Sequence, residues 1–247
     1  MKIFPFKYLL CLAVITFVFT YQALAQSSPP KNQSLTKEQQ SIIPIAAYTA
    51  KGDLQSLKAA LNKGLDTGLT VNETKEAIVH LYAYCGFPRS IRGLQTLMAV
   101  LDERKAKGIN DEWGPEASPT TDERSKYDRG KEILGELTGA PQDGPKTGYA
   151  AFSPEIEVFL KEHLFADIFE RDVLSHSERE LVTISVLSSM GGVEPMLRGH
   201  FNICLNVGFS PSQLKQFVSI IASTVGKTEA KAAQAVLDEV LKTAKSE

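Results

Sequence analysis

The stretch Leu174–Gly208, LSHSERELVTISVLSSMGGVEPMLRGHFNICLNVG, decides how this chain is read. It opens with Ser175-His-Ser-Glu178, the spacing of a capping box, in which a serine oxygen and a glutamate three residues on satisfy backbone amides left over at a helix start. Apolar residues then recur at helical spacing as far as Gly191-Gly192, and a second helical run begins at Glu194-Pro195. Two residues capable of chemistry sit where packing residues are expected. Glu180 shares a face with Ile184 and Leu187, and His200 lies within about 60° of Met196, Leu197, Ile203, Cys204 and Val207 on a helical projection.

A carboxylate on an apolar stripe has to be paired, protonated or placed at a cavity, because an unpaired buried charge costs several kcal/mol. Glu180 therefore reads as a proton donor, as the partner of an arginine such as Arg198, or as a first-turn acid favoured by the helix dipole. His200 reads as a core histidine held by one hydrogen bond or as a general acid/base. Glu194 is a substrate contact or simply a first-turn acid.

Working outward, the chain repeats this stretch. A shift of 140 residues without a gap places Glu38 on Glu178, Ile42 on Val182, Gly52 on Gly192, Leu57 on Leu197, Asn62 on Asn202, Gly68 on Gly208, Thr70 on Ser210 and Gly86 on Gly226. Glycines and caps coincide along with apolar positions, which helical periodicity alone does not produce. Helices are expected over Lys37–Ala50, Asp53–Thr67, Asn72–Tyr84 (opened by the capping box Thr70-Val-Asn-Glu73) and Pro88–Lys107. Another is expected over about Asp122–Leu137, and one more from Ser153-Pro154 to Phe169. Strand-type alternation and Asn-Gly turns are missing. The fold class is therefore all-α, two pseudo-symmetric helical repeats packed as one bundle, with repeats at 35–107 and 153–247 (the duplicated part near 175–245) and a linker with one short helix at 108–152.

The two repeats differ in chemistry. Positions answering to Glu180 and His200 are Gln40 and Ala60 in the first repeat. In their place that repeat carries Glu76, His80 and Tyr84 at successive spacings of four, followed by Cys85-Gly86-Phe87-Pro88-Arg89. This row either lines a cavity opposite His200 or is a solvated face bearing a Glu-His pair.

The chain has 247 residues, enough for a sizeable core. Lys2 and Lys7, the apolar run Tyr8–Thr20 and Ala23-Leu24-Ala25 predict a signal peptide, residues 1–25, cleaved before Gln26, hence a periplasmic or secreted protein with no membrane attachment after cleavage. Residues 26–34 read as a disordered polar leader. The mature chain carries 25 basic against 29 acidic residues and no basic block, which argues against nucleic acid as a partner. Its two cysteines, Cys85 and Cys204, are too few for a disulfide framework; a single pair or two buried thiols both remain open. No metal-ligand spacing, phosphate-binding glycine loop or nucleophilic serine motif occurs, so no cofactor and no metal are expected.

With these residues in view, the chain resembles the carboxymuconolactone decarboxylase family, which includes the alkylhydroperoxidase AhpD-like proteins. The resemblance rests on LSHSERELVTISVLSSMGGVEPMLRGHFNICLNVGFSPSQL and LNKGLDTGLTVNETKEAIVHLYAYCGFPRSIRGL. It implies an all-α fold, trimeric or hexameric assembly, and a lyase that removes carbon dioxide from a small lactone or carboxylic acid. In such a lyase Glu180, His200 and His80 would be the catalytic groups, and Glu194, Tyr84, Arg89 and Cys85 the substrate-binding ones, with Arg89 or Arg198 holding the substrate carboxylate. The peroxidase branch carries a Cys-x-x-Cys pair shortly before the histidine; here those places are Val193 and Met196. The alternatives are a thiol-dependent peroxide-handling protein lacking that motif, using Cys85 or Cys204, and a non-enzymatic small-molecule binder.

Overall fold

The computed structural model describes residues 34–244. The expected signal peptide, and the leader up to residue 33, lie outside the described residues. Eleven α-helices form among them: α1 Lys37–Lys51, α2 Leu54–Asp66, α3 Val71–His80, α4 Tyr82–Ala106, α5 Lys126–Thr138, α6 Gly148–Phe152, α7 Pro154–Phe159, α8 His176–Met190, α9 Glu194–Asn206, α10 Pro211–Thr224 and α11 Lys227–Thr243. Between α7 and α8 the chain widens into π-helical turns over Leu160–Phe169. No strand forms among the described residues, and the fold is all-α as expected.

The helix starts are those the caps dictate. Reciprocal capping boxes open α1 (Thr36 with Gln39), α3 (Thr70 with Glu73), α8 (Ser175 with Glu178) and α10 (Ser210 with Gln213). The helix expected over Asn72–Tyr84 stops at His80, and one more turn, with Tyr84 and Cys85 amides bonded to the Leu81 carbonyl, leads to a kink at Gly86. Gly86 has φ 79 and ψ 159, a conformation open to glycine, and it sets the break from which the long arm of α4 departs.

At the centre lies α8, in which every residue from Arg179 to Ser189 is buried. It packs most extensively on α1 and also touches α3, α4, α9 and α11, so it is enclosed on all sides. Ile43, Leu57, Leu61, Ile78, Leu81, Val182, Ile184, Phe201, Phe217 and Leu237 belong to the one continuous core around it. Several of its buried residues are polar, and they are met inside the bundle: the Ser185 and Ser189 hydroxyls donate to the Leu181 and Ser185 carbonyls. A smaller core of Leu137, Leu164, Phe165, Ile168, Phe169 and Ile203 joins α5 to the π-helical segment and to α9. That approach depends on Gly130, where a Cβ would come within 1.7 Å of the Lys161 carbonyl oxygen. The linker is thereby tied down: α5 packs on the π-helical turns, and Val71 and Asn72 amides bond the carbonyls of Glu112 and Trp113.

Candidate functional site

The burial of α8 puts Glu180 wholly out of solvent, and its partner comes from α9. The Oε2 atom of Glu180 lies 2.8 Å from His200 Nδ1, with the histidine side chain 16% exposed. A carboxylate accepts, so Nδ1 is the donor in this bond and Nε2 is the edge of the ring that Glu180 does not engage. The second carboxylate oxygen, Oε1, is buried without a protein partner. Arg198 is not the partner of Glu180: it is exposed and pairs with Glu239 on α11. Met196, expected on His200's apolar face, is 53% accessible, because α9 begins at the surface with Glu194, Pro195 and Met196 exposed and Leu197 the first residue to be buried.

The row from α3 is brought to the same place. Glu76 and His80 are buried, so the reading of a solvated face with a Glu-His pair is wrong. The reason is that the partners of Glu76 come from far along the chain. Its carboxylate accepts from Arg171 Nε at 2.8 Å, Arg171 Nη2 at 3.0 Å and Arg179 Nη2 at 2.9 Å. Burial works to raise its pKa, but the two guanidiniums outweigh that and hold it below the usual glutamate value. Arg179 itself is fully buried, donates to the Arg171 carbonyl at 2.6 Å, and reaches within 3.4 Å of His80 Nδ1.

His80 Nε2 lies 2.9 Å from Thr183 Oγ1, which is in turn 3.1 Å from the Tyr84 hydroxyl. Burial, reinforced by the charge of Arg179 and by His200, pushes the His80 pKa well below its ordinary value, so the ring is neutral. Burial and the Glu180 carboxylate push the Tyr84 phenol up, which keeps its proton on. The Tyr84 ring meets the His200 ring edge-on with centroids 6.1 Å apart, and the His80 ring at 5.4 Å. Glu180, His200, His80 and Tyr84 thus form one cluster contributed by α3, α4, α8 and α9.

The other expected residues stand elsewhere. Arg89 is exposed with its guanidinium against Gly52, where a Cβ would lie 1.5 Å from Nη1. Arg89 forms no hydrogen bond or ion pair with the cluster. Glu194 is exposed and accepts from the Gly192 amide at 3.1 Å, the role of a first-turn acid. Both cysteines are free thiols. Cys85 donates to the Leu81 carbonyl at 3.2 Å, and burial pushes its pKa up to about 11 despite the nearby charge of Arg89. Burial, with the Glu180 charge, drives Cys204 well above the ordinary thiol value. Among the described residues no three His, Cys, Asp or Glu side chains converge as a metal site would require.

Arg179 and Thr183 belong to the cluster and were not singled out from the sequence. Their signal was present: an Arg-Glu pair and a threonine one turn on, among the apolar positions Leu181, Val182, Ile184 and Leu187. Residues 154–239 match the carboxymuconolactone decarboxylase family. The match takes in Arg179, Glu180, Thr183 and His200, while His80 and Tyr84 lie before it. The chain is also similar to the 4-carboxymuconolactone decarboxylase of Acinetobacter baylyi, with 26% identity over 121 residues, 49% of this chain and 90% of that relative. Both findings are likenesses to the carboxymuconolactone decarboxylase family.

Proposed function

We propose that this chain is a carboxy-lyase that removes carbon dioxide from a small lactone acid or related carboxylic acid by acid/base chemistry at His200. The observation that carries the reading is the 2.8 Å bond between the buried Glu180 carboxylate and His200 Nδ1. A buried carboxylate fixes the ring's tautomer and orientation and stabilises the imidazolium form. In the reaction, the bond to the carboxylate carbon breaks, carbon dioxide leaves, and the electron pair passes into the conjugated carbonyl as a dienolate. His200, protonated at Nε2, then gives that proton to the ring carbon and takes one back from solvent, so one proton is consumed per turnover.

We read the site as composite and the chain as an internal duplication. In support, α2 and α9 start at Leu54 and Glu194, and α3 and α10 at Val71 and Pro211, the offset at which the sequence repeats. The positive-φ glycines Gly52 and Gly192 (φ 72 and 74) and Gly68 and Gly208 (φ 110 and 102) are spaced alike. The same proposal holds the protein to be exported, on the strength of residues 1–25; a mature N-terminus at Gln26 would be the finding to look for. Thiol-dependent peroxide chemistry is disfavoured, because it asks for an accessible, low-pKa thiolate and both thiols here are shifted the other way.

The test is to supply the mature protein with γ-carboxymuconolactone and related lactone acids and to follow carbon dioxide release in the wild type and in His200→Ala. Turnover that falls by roughly 10²–10⁴-fold in the variant supports the reading. Equal rates sink the role of His200, and no turnover of any lactone acid sinks the reaction class.

A further inference from the structure

We propose that Tyr84 is a second group acting on the substrate, its hydroxyl donating a hydrogen bond to the oxygen on which negative charge develops, with His80 and Thr183 as the positioning residues that leave its proton free. This rests on the carboxy-lyase reading of the site. The order of the bonds begins at Arg179, whose guanidinium can only donate. Its Nη1 faces His80 Nδ1 at 3.4 Å, so that nitrogen accepts, and a neutral ring must then carry its proton on Nε2. The neutral state follows from complete burial beside Arg179. Glu76, bonded to both Arg171 and Arg179, holds the guanidinium in place.

From Nε2 the proton points at Thr183 Oγ1, 2.9 Å away. The threonine hydroxyl has one proton and two acceptors in reach, the Arg179 carbonyl at 3.0 Å and the Tyr84 oxygen at 3.1 Å. In the second contact the geometry has Thr183 donating and the Tyr84 oxygen accepting. The Tyr84 oxygen receives no other donor among the described residues. With Thr183 donating to it, the Tyr84 proton is left for a group outside this chain, beside the His200 ring. His200 and Tyr84 then divide the work. His200 returns a proton to carbon, and Tyr84 stabilises the dienolate oxygen without giving its proton up.

The test pairs kinetics with a spectroscopic readout. Tyr84→Phe and Thr183→Val are expected to lower kcat for lactone-acid decarboxylation by roughly 10²-fold, the effect of losing one such donor, with KM little changed and Thr183→Ser restoring most of the rate. In ¹⁵N-histidine spectra of the wild-type protein, the ring signals missing from His80→Gln must show the proton on Nε2. Tyr84→Phe with kcat within twofold of wild type, Thr183→Ser as slow as Thr183→Val, or a His80 proton on Nδ1 would each overturn the proposal. Should the wild type turn over no lactone acid, the function reading fails while the relay is still decided by the His80 tautomer.

Discussion

Replacing Glu76 by alanine is the perturbation that most severely tests the buried network. Its carboxylate is 5% exposed and is, among the described residues, the only acid bonded to Arg179, whose side chain is 0% exposed. Removing it leaves a guanidinium charge in the core with nothing but carbonyl and imidazole acceptors, and breaking a buried pair from one side costs about 3–5 kcal/mol. For a chain of this size each kcal/mol is worth about 2–4 °C, so the melting temperature should fall by roughly 6–20 °C. The matched control is Glu239→Gln, which removes the exposed pair with Arg198 and should change stability by no more than about 1 kcal/mol. The assay is urea unfolding, with thermal melts alongside, both at neutral pH. The network also predicts a pH dependence. Because Glu76 is held below its ordinary value of 4.5, its contribution is present above that pH and lost as the pH falls through the lower folded-state value. Glu76→Gln should therefore lose less stability than the wild type on acidification below about pH 4.5. A Glu76→Ala protein within about 1 kcal/mol of the wild type would refute the reasoning, since a buried, paired arginine cannot lose its counter-charge so cheaply.

Gly130→Ala should destabilise through the α5 contact, because its Cβ would overlap the Lys161 carbonyl oxygen at 1.7 Å; amide hydrogen exchange should rise over α5 and the π-helical turns while α8 stays protected. Cys85 and Cys204 should react with a maleimide far more slowly than a free thiol at neutral pH, since burial raises both; fast labelling of either in the native protein would contradict this. Leu57→Ala, at a fully buried core position, should cost about 2–5 kcal/mol in urea unfolding.

What the sequence made legible was local or periodic. The capping boxes at Thr70 and Ser175, a break between Tyr84 and Pro88 and a helix start at Pro154 need only neighbouring residues, and all are found, the break as a kink at Gly86, though the helix from Pro154 gives way to π-helical turns after Phe159. Glu180 and His200 stood out because polar groups had been placed on apolar faces, but the partner of Glu180 was open between Arg198 and other groups, since the choice is made by how α8 meets α9. Glu76 shows the same limit. Its spacing from His80 and Tyr84 was plain, yet its burial was not, because Arg171 and Arg179 lie 95 and 103 residues away. The π-helical turns carry no sequence pattern that separates them from an ordinary helix of the same apolar content.

The central claim is that Glu180 acts through His200. A double-mutant cycle on lactone-acid decarboxylation tests it most directly, with Glu180→Gln, His200→Ala and the two combined. Groups that act as one unit are not additive, so the double variant should be no slower than His200→Ala alone. Losses that multiply, or activity that survives His200→Ala, would contradict the account.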